Sequence, residues 1–270
     1  MRQISSPTAA APAPITLLGW LYAVYAWTLF LLLGVAGILV LWLLPALAWR
    51  RSLGRALART VLRLTGMRIR CAGLLTLPHP CIVVANHSSF IDGVVLAAAL
   101  PPHFSFVIKR EMATVPLAGM LLKRLGAHFV ERHLRSRSAV DARRLLRSAA
   151  RGQALVFFPE GTFSPAPPGL LRFHIGAFAA AVKSQLPVVP IAIHGARARL
   201  PPGSLQPHPG EIGVEILPAL APPSAAGGTA AALRDLARAQ LLAALGEADL
   251  ADAAESADTA VGTGSDTGAQ

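Results

Sequence analysis

An α/β fold, with a mixed, largely parallel sheet flanked by helices and preceded by an N-terminal membrane-anchoring helix or hairpin, is predicted by three features of this 270-residue chain. Short Ile- and Val-rich runs alternate with amphipathic helical stretches, several of the runs end in polar or charged side chains, and no charge occurs between Arg2 and Arg50. Apolar runs of about four to eight residues bounded by turn residues read as buried strands, and their alternation with helical patterns reads as a sheet covered on both faces.

Residues 1–14 read as a flexible N-terminus and 15–49 as the membrane segment. The run Leu17 to Trp49 would extend about 50 Å as a helix, against a hydrocarbon core of about 30 Å. Trp20 and Trp42 would then stand about 33 Å apart, near the spacing of interfacial aromatic belts. One span fits, and so does a hairpin bent at Gly34 and Gly37. A secretory signal ending at Ala46-Leu-Ala48 is the competing reading; against it, the run far exceeds a signal core of about 7 to 15 residues and no cationic cluster precedes it. Arg50, Arg51, Arg55, Arg59, Arg63, Arg68 and Arg70 follow at once. Positive charge beside an apolar segment marks the cytoplasmic side, so the rest of the chain is expected there, on a bacterial-type inner (cytoplasmic) membrane. Arginines at four-residue intervals make 50–70 a basic interfacial helix on anionic lipid, or a charged helix packed on the domain that follows.

Strands are predicted near 81–85, 104–108, 127–131, 154–158, 188–193 and 211–217, with helices over about 90–100, 116–125, 139–151, 174–184 and 229–245. The helix at Ala139 is opened by the capping pattern Ser138-Ala-Val-Asp141 and stopped at Gly152. Pro201 to Pro209 is an irregular excursion. Residues 71–246 form one catalytic-sized domain. Residues 247–270, rich in Ala, Asp, Ser, Thr and Gly, read as a disordered acidic tail.

Chemistry concentrates where strands end. Cys81-Ile-Val-Val-Ala-Asn-His-Ser-Ser-Phe-Ile-Asp92 places His87 at a strand's carboxyl end and Asp92 in the first turn of the next helix. A turn between them lets Asp92 accept from one imidazole nitrogen while the other takes a proton from a substrate hydroxyl. Ser89-Phe-Ile-Asp92 is equally a capping box, in which Asp92 only stabilises a helix start. Further along, Glu160, Gly161 and Thr162 break a second strand, Lys109 closes a third, Arg132 follows a fourth, and His194 ends a fifth. Such a row of polar strand ends suits a cleft at the carboxyl edge of a sheet.

These segments together resemble the glycerolipid acyltransferases that share a His-x4-Asp motif, the 1-acyl-glycerol-3-phosphate acyltransferase family. Four blocks occur in order over about residues 80 to 217: Asn86 to Asp92, Gly126 to Arg132, Phe158 to Ser164, and Val188 to Ala192. The resemblance implies transfer of a fatty acyl chain from acyl carrier protein or coenzyme A to the free hydroxyl of a lysophospholipid. It makes 71–246 an acyltransferase domain, His87 the base and Asp92 its orienter. It also implies that Glu160, Gly161 and Thr162 hold the acceptor's glycerol-phosphate end and that Lys109 and Arg132 neutralise its phosphate. Phe163 stands where many members carry Arg. Arg172 would then be the replacement cation, or the acceptor is another lyso-lipid such as a lyso-aminolipid. A non-catalytic basic membrane adaptor is the competing class. Direct attack needs no enzyme nucleophile, and the thioester is a co-substrate rather than a bound cofactor.

Composition sets the outer bounds. Without 247–270, which hold six of the fourteen acidic residues, the chain carries 25 basic and 8 acidic side chains, a net +17. That field would attract membrane phospholipids, anionic lysophospholipid and acidic carrier protein. Nucleic acid is not expected as a partner, since no recognition motif or interleaved aromatic platform accompanies the arginines. Two cysteines without Cys-x2-Cys spacing predict neither a disulfide framework nor a zinc site, and no other metal is expected.

Overall fold

The computed structural model describes residues 16–74, 77–131, 135–162, 168–222 and 228–251. The expectations for 1–14, for Arg132, for Phe163 and for 252–270 lie outside the described residues. Helix α1 (Leu17–Leu43) starts on Thr16, whose side chain accepts from the Gly19 amide at 3.1 Å. It runs unbroken for 27 residues, about 40 Å, so the bend does not fall at Gly34 and Gly37 as a hairpin reading required. The chain turns after Leu43 instead, and α2 (Leu47–Leu64) runs back along α1. Tyr22 Oη donates to Thr65 O at 2.6 Å and Tyr25 Oη to Leu64 O at 3.1 Å. Gly37 admits Leu57 of α2, since a Cβ there would lie 2.5 Å from Leu57 Cδ1. Near the other end of α1, Arg124 donates to Leu41 O at 2.7 Å and stacks over Trp42.

One face of α1 is therefore held by protein, and the other leaves Leu18, Leu21, Val24, Leu32 and Leu39 largely exposed. Among the described residues α1 is the one helix long and apolar enough to cross a membrane. An exposed apolar stripe of that length belongs in lipid, and the chain is membrane-associated.

Three arginines of the α2 stripe donate to groups of the domain, the arrangement of the second reading, a charged helix packed on the domain that follows. Arg51 donates to Leu125 O at 3.0 Å, His103 O at 3.1 Å and Ser105 Oγ at 2.8 Å. Arg59 donates to Ala98 O at 2.8 Å and Arg55 to Ala99 O at 3.2 Å. These guanidinium groups satisfy carbonyls that the end of a neighbouring helix and a loop would leave unpaired. The boundary moves too, because strand β1 (Met67–Ala72) already belongs to the main sheet.

Strand β2 (Ile82–Ala85) leads to α3 (Asp92–Ala99); β3 (Ser105–Lys109), α4 (Ala118–Arg124), β4 (His128–Val130), α5 (Arg135–Ala150) and β5 (Leu155–Phe157) follow. Then come the two-residue β6 (Gly169–Leu170), α6 (Gly176–Ser184), β7 (Val188–His194), the short α7 (Ala196–Arg199), β8 (Gly210–Ile216), α8 (Ala230–Leu245) and β9 (Ala248–Asp249). The seven-stranded sheet has the order β1-β8-β7-β2-β5-β3-β4. The five strands from β7 to β4 are parallel, β8 runs against β7, and β1 follows β8, which bears out the mixed, largely parallel prediction. Alternation along β2 sends Val83 and Ala85 to the face covered by α2 and α3, and Ile82 and Val84 to the face covered by α6 and α8. α5 begins three residues ahead of Ser138, and Asp141 is buried against Arg110 rather than closing a capping box. The tail expectation is corrected at its start: residues 248–249 form β9, paired in parallel with β6.

Arg51→Met removes three donors to partly buried acceptors. It should lower unfolding stability by about 1–3 kcal/mol and leave vesicle binding unchanged. Lost vesicle binding with an unaltered melting curve would return the stripe to the lipid.

Candidate active site

The parallel strands end at one sheet edge, and β2, at their centre, delivers His87 there. Asn86 is buried and locks that end to β7, donating through Nδ2 to Ile193 O at 3.1 Å and accepting from Ile193 N at 2.7 Å. The chain then turns sharply into α3. Asp92 Oδ2 accepts from the Ser88 and Ser89 amides at 2.7 and 2.8 Å, and lies 2.9 Å from His87 Nδ1. A carboxylate only accepts, so Nδ1 carries the proton and Nε2 is the basic nitrogen of this tautomer. One Asp92 oxygen therefore both holds the turn ahead of α3 and meets the imidazole. Asp92 is fully buried, whereas the His87 side chain keeps 20% of its surface exposed. Phe158, which sequence reasoning left without a role, stacks on the imidazole at 4.4 Å between ring centroids. Ser89 Oγ donates to Leu200 O at 2.7 Å, tying the turn to the excursion after α7.

Glu160 is bonded to the backbone through both oxygens. Its Oε1 accepts from the His87 amide at 2.6 Å and its Oε2 from the Leu171 amide at 2.9 Å, with 4% of the residue exposed. It braces the two backbone segments that flank the site. Burial pushes its carboxyl up to about 8; the two amide donors pull it down, while Asp92 and Glu247 add to the rise. Gly161 takes φ 74°, where a side chain would be strained, so that the chain can reverse directly after Glu160. Thr162 is exposed just beyond.

The expected cations are placed unequally. Lys109 is exposed at the end of β3, two strands from β2 and thus about 10 Å away across the sheet. Arg172 is exposed one residue past the Leu171 amide that Glu160 holds. Arg132 is outside the described residues, but its predecessor Glu131 has its amide fixed at 3.0 Å to Asp141 Oδ2, which also takes Arg110 Nη2 at 2.6 Å. Cys81 is buried in β2's approach and its thiol is pushed up to about 12 by burial, so it offers no thiolate near neutral pH.

The acyltransferase family profile matches residues 68–194. The chain is 37% identical over 116 residues to the lyso-ornithine lipid O-acyltransferase of Brucella abortus, covering 43% of each chain. It is 33% identical over 161 residues to the 1-acyl-sn-glycerol-3-phosphate acyltransferase of Pseudomonas aeruginosa, covering 57% of this chain and 60% of that one. The chain thus spans about half the length of these curated relatives. The crystal structure of the 1-acyl-sn-glycerophosphate acyltransferase from Thermotoga maritima shares the fold, with a TM-score of 0.69, 22% identity, and coverage of 85% of this chain and 94% of that one.

Asp92→Asn keeps an oxygen for the turn amides but no longer enforces the Nδ1–H tautomer. Turnover should fall about 100-fold or more while stability drops by only about 1–2 kcal/mol, read by kinetics beside thermal melts. The raised Glu160 carboxyl gives a second test. A proton held in the folded state and lost in the unfolded one stabilises the fold fully below about 4.5, and this contribution disappears as pH rises through about 8. The stability difference between wild type and Glu160→Gln should therefore move against wild type across that window. A pH-independent difference would mean Glu160 is ionised throughout.

Proposed function

We propose, for a chain whose residues 68–194 match the acyltransferase family model, that it moves a fatty acyl chain from a thioester to the free hydroxyl of 1-acyl-glycerol-3-phosphate, giving phosphatidic acid. The observation that carries this reading is the 2.9 Å contact between His87 Nδ1 and a buried Asp92 oxygen, which leaves Nε2 as the base at a partly open strand end. The hydroxyl oxygen attacks the thioester carbonyl carbon as Nε2 takes its proton. The tetrahedral oxyanion collapses, the carbon–sulfur bond breaks, and the imidazolium, steadied by Asp92, returns the proton to the departing thiolate. No enzyme nucleophile enters. Gly161, Thr162, Arg172, Lys109 and Arg132 form the acceptor-facing rim in this reading, and Glu160 keeps His87 in register behind it.

The donor is acyl carrier protein or a coenzyme A thioester, drawn by the basic field of the chain. The exposed stripe of α1 sits in one leaflet of a bacterial-type inner membrane with the domain on the cytoplasmic side, where the flanking arginines favour it. A lyso-aminolipid acceptor is the second reading. One observation favours it, the 37% identity to a lyso-ornithine lipid O-acyltransferase, and it agrees with Phe163 standing where the resemblance implies Arg.

The test is label transfer from both donors to a panel of acceptors, run beside His87→Ala. That variant should lose about 100- to 10,000-fold in turnover while still binding vesicles. Lysophosphatidate trailing behind a lyso-aminolipid would select the second reading, and undiminished turnover in His87→Ala would remove the mechanism.

A further inference from the structure

Behind α8 the chain does not leave the domain. Gly246 caps the helix in the left-handed conformation, and the next residues return to the catalytic edge as β9. Gly169 pairs with Ala248 and Leu170 with Asp249, and the Leu250 amide donates to Leu170 O at 3.0 Å. Gly169 permits this approach, because a Cβ there would lie 2.6 Å from Leu250 Cγ and 2.7 Å from Ala248 O. Arg238 of α8 gathers the ends. Its Nη2 donates to Leu170 O at 2.8 Å, its Nε to Leu171 O at 3.2 Å, and its two terminal nitrogens take both oxygens of Asp249 at 2.7 and 2.5 Å. Two-point pairing of this kind fixes orientation as well as distance. The Arg238 side chain keeps only 12% of its surface exposed.

The residue these contacts immobilise is Leu171, whose amide holds Glu160 Oε2, while Glu160 Oε1 holds the His87 amide. We infer that Arg238 and Asp249 are positioning residues for the catalytic base, acting along the line Asp249–Arg238–Leu171–Glu160–His87. The inference rests on the acyl-transfer reading above and extends it to a segment beyond the matched residues 68–194. Two further features agree with it. The Asp249 carboxyl is held down to about 2, chiefly by its bond to Arg238, so the pair is intact throughout the neutral range. Glu247, half-buried beside it, is pushed upward by burial, against the pull of Arg197 and His194, with Asp92 adding to the rise. The returning strand therefore lies within the electrostatic field of the catalytic carboxylate.

Burial alone would make this strap a matter of stability, so the test separates register from fold. In the full-length enzyme, Asp249→Asn and Arg238→Gln should each lower kcat about 10-fold while KM for thioester and lysophospholipid stays within about 2-fold, the signature of a lost transition-state arrangement. Gly169→Ala loosens the same pairing from the other strand and should behave alike if either first variant melts early. The decisive measurement is the double variant: in a Glu160→Gln background, Asp249→Asn should change kcat by less than about 2-fold, because the line is already cut. Losses that multiply in the double variant, losses confined to KM, or an unchanged kcat in Asp249→Asn would each overturn the inference. Active wild type with an inactive His87→Ala preserves the acyl-transfer reading under any of those results. A wild type that acylates no acceptor from either donor removes that reading instead.

Discussion

A single carboxylate oxygen organises the candidate site at the sheet edge. Asp92 Oδ2 receives two backbone amides and one imidazole N–H inside a turn from which water is excluded. An ionised carboxylate without such partners would be far too costly to bury, so the turn geometry and the imidazole orientation are set together by the same requirement. Its companion, Oδ1, is buried with no hydrogen-bond partner among the described residues. The start of α3 supplies the remaining compensation, since the first amides of a helix carry partial positive charge toward a group in its first turn.

The backbone on either side of that turn is pinned by side chains rather than by the sheet alone. Asn86 joins β2 to β7 on one side, and Glu160 joins it to the Leu171 segment on the other. Breaking one partner of a buried polar pair costs more than the pair contributes net, because the abandoned group stays buried. Asn86 and Glu160, both buried, are thus conformational determinants. His87 is then restrained from three directions: Asp92 at Nδ1, Glu160 at its amide, and Phe158 against the ring face.

The strands that carry the candidate site were legible because they are written locally. Runs such as Ile82-Val-Val-Ala85 carry enough β-branched bulk to be strands in isolation, and polar residues end them. β1 was hidden in plain view: Met67-Arg-Ile-Arg-Cys-Ala72 alternates at period 2, but its arginines prolong the charge run of α2 and drew it into the helix. The direction of the α2 arginines was illegible for a different reason. Helical spacing shows that they share a face, but not that the end of α3 and the loop at His103 present unpaired carbonyls to it. Glu160 illustrates the same limit. Its motif marks a strand end, whereas its job is decided by the Leu171 amide, which a long excursion in the chain brings back. The pairing of β9 with β6 joins residues about 80 positions apart through two residues each, and so short a strand leaves no period to read.

The irregular stretch from Pro201 to Pro209 links the lipid-facing helix to this restrained centre. Leu200 O accepts from Ser89 in the catalytic turn, and Leu205 O accepts from Trp27 of α1 at 2.7 Å. Each such bond is worth about 1 kcal/mol net, enough to favour one placement of α1 and too little to hold it against a competing surface. Placement of α1 therefore depends as well on the packing of Leu57 at Gly37 and on the Arg124 contacts at its far end. α1 is thus bonded to the domain at both ends, and Phe90 and Leu205 stand exposed beside the His87–Asp92 turn and the excursion. The apolar stripe of α1 and the polar sheet edge are in this way linked through the excursion, a relation that neither the hydropathy of α1 nor the His-x4-Asp motif contains by itself.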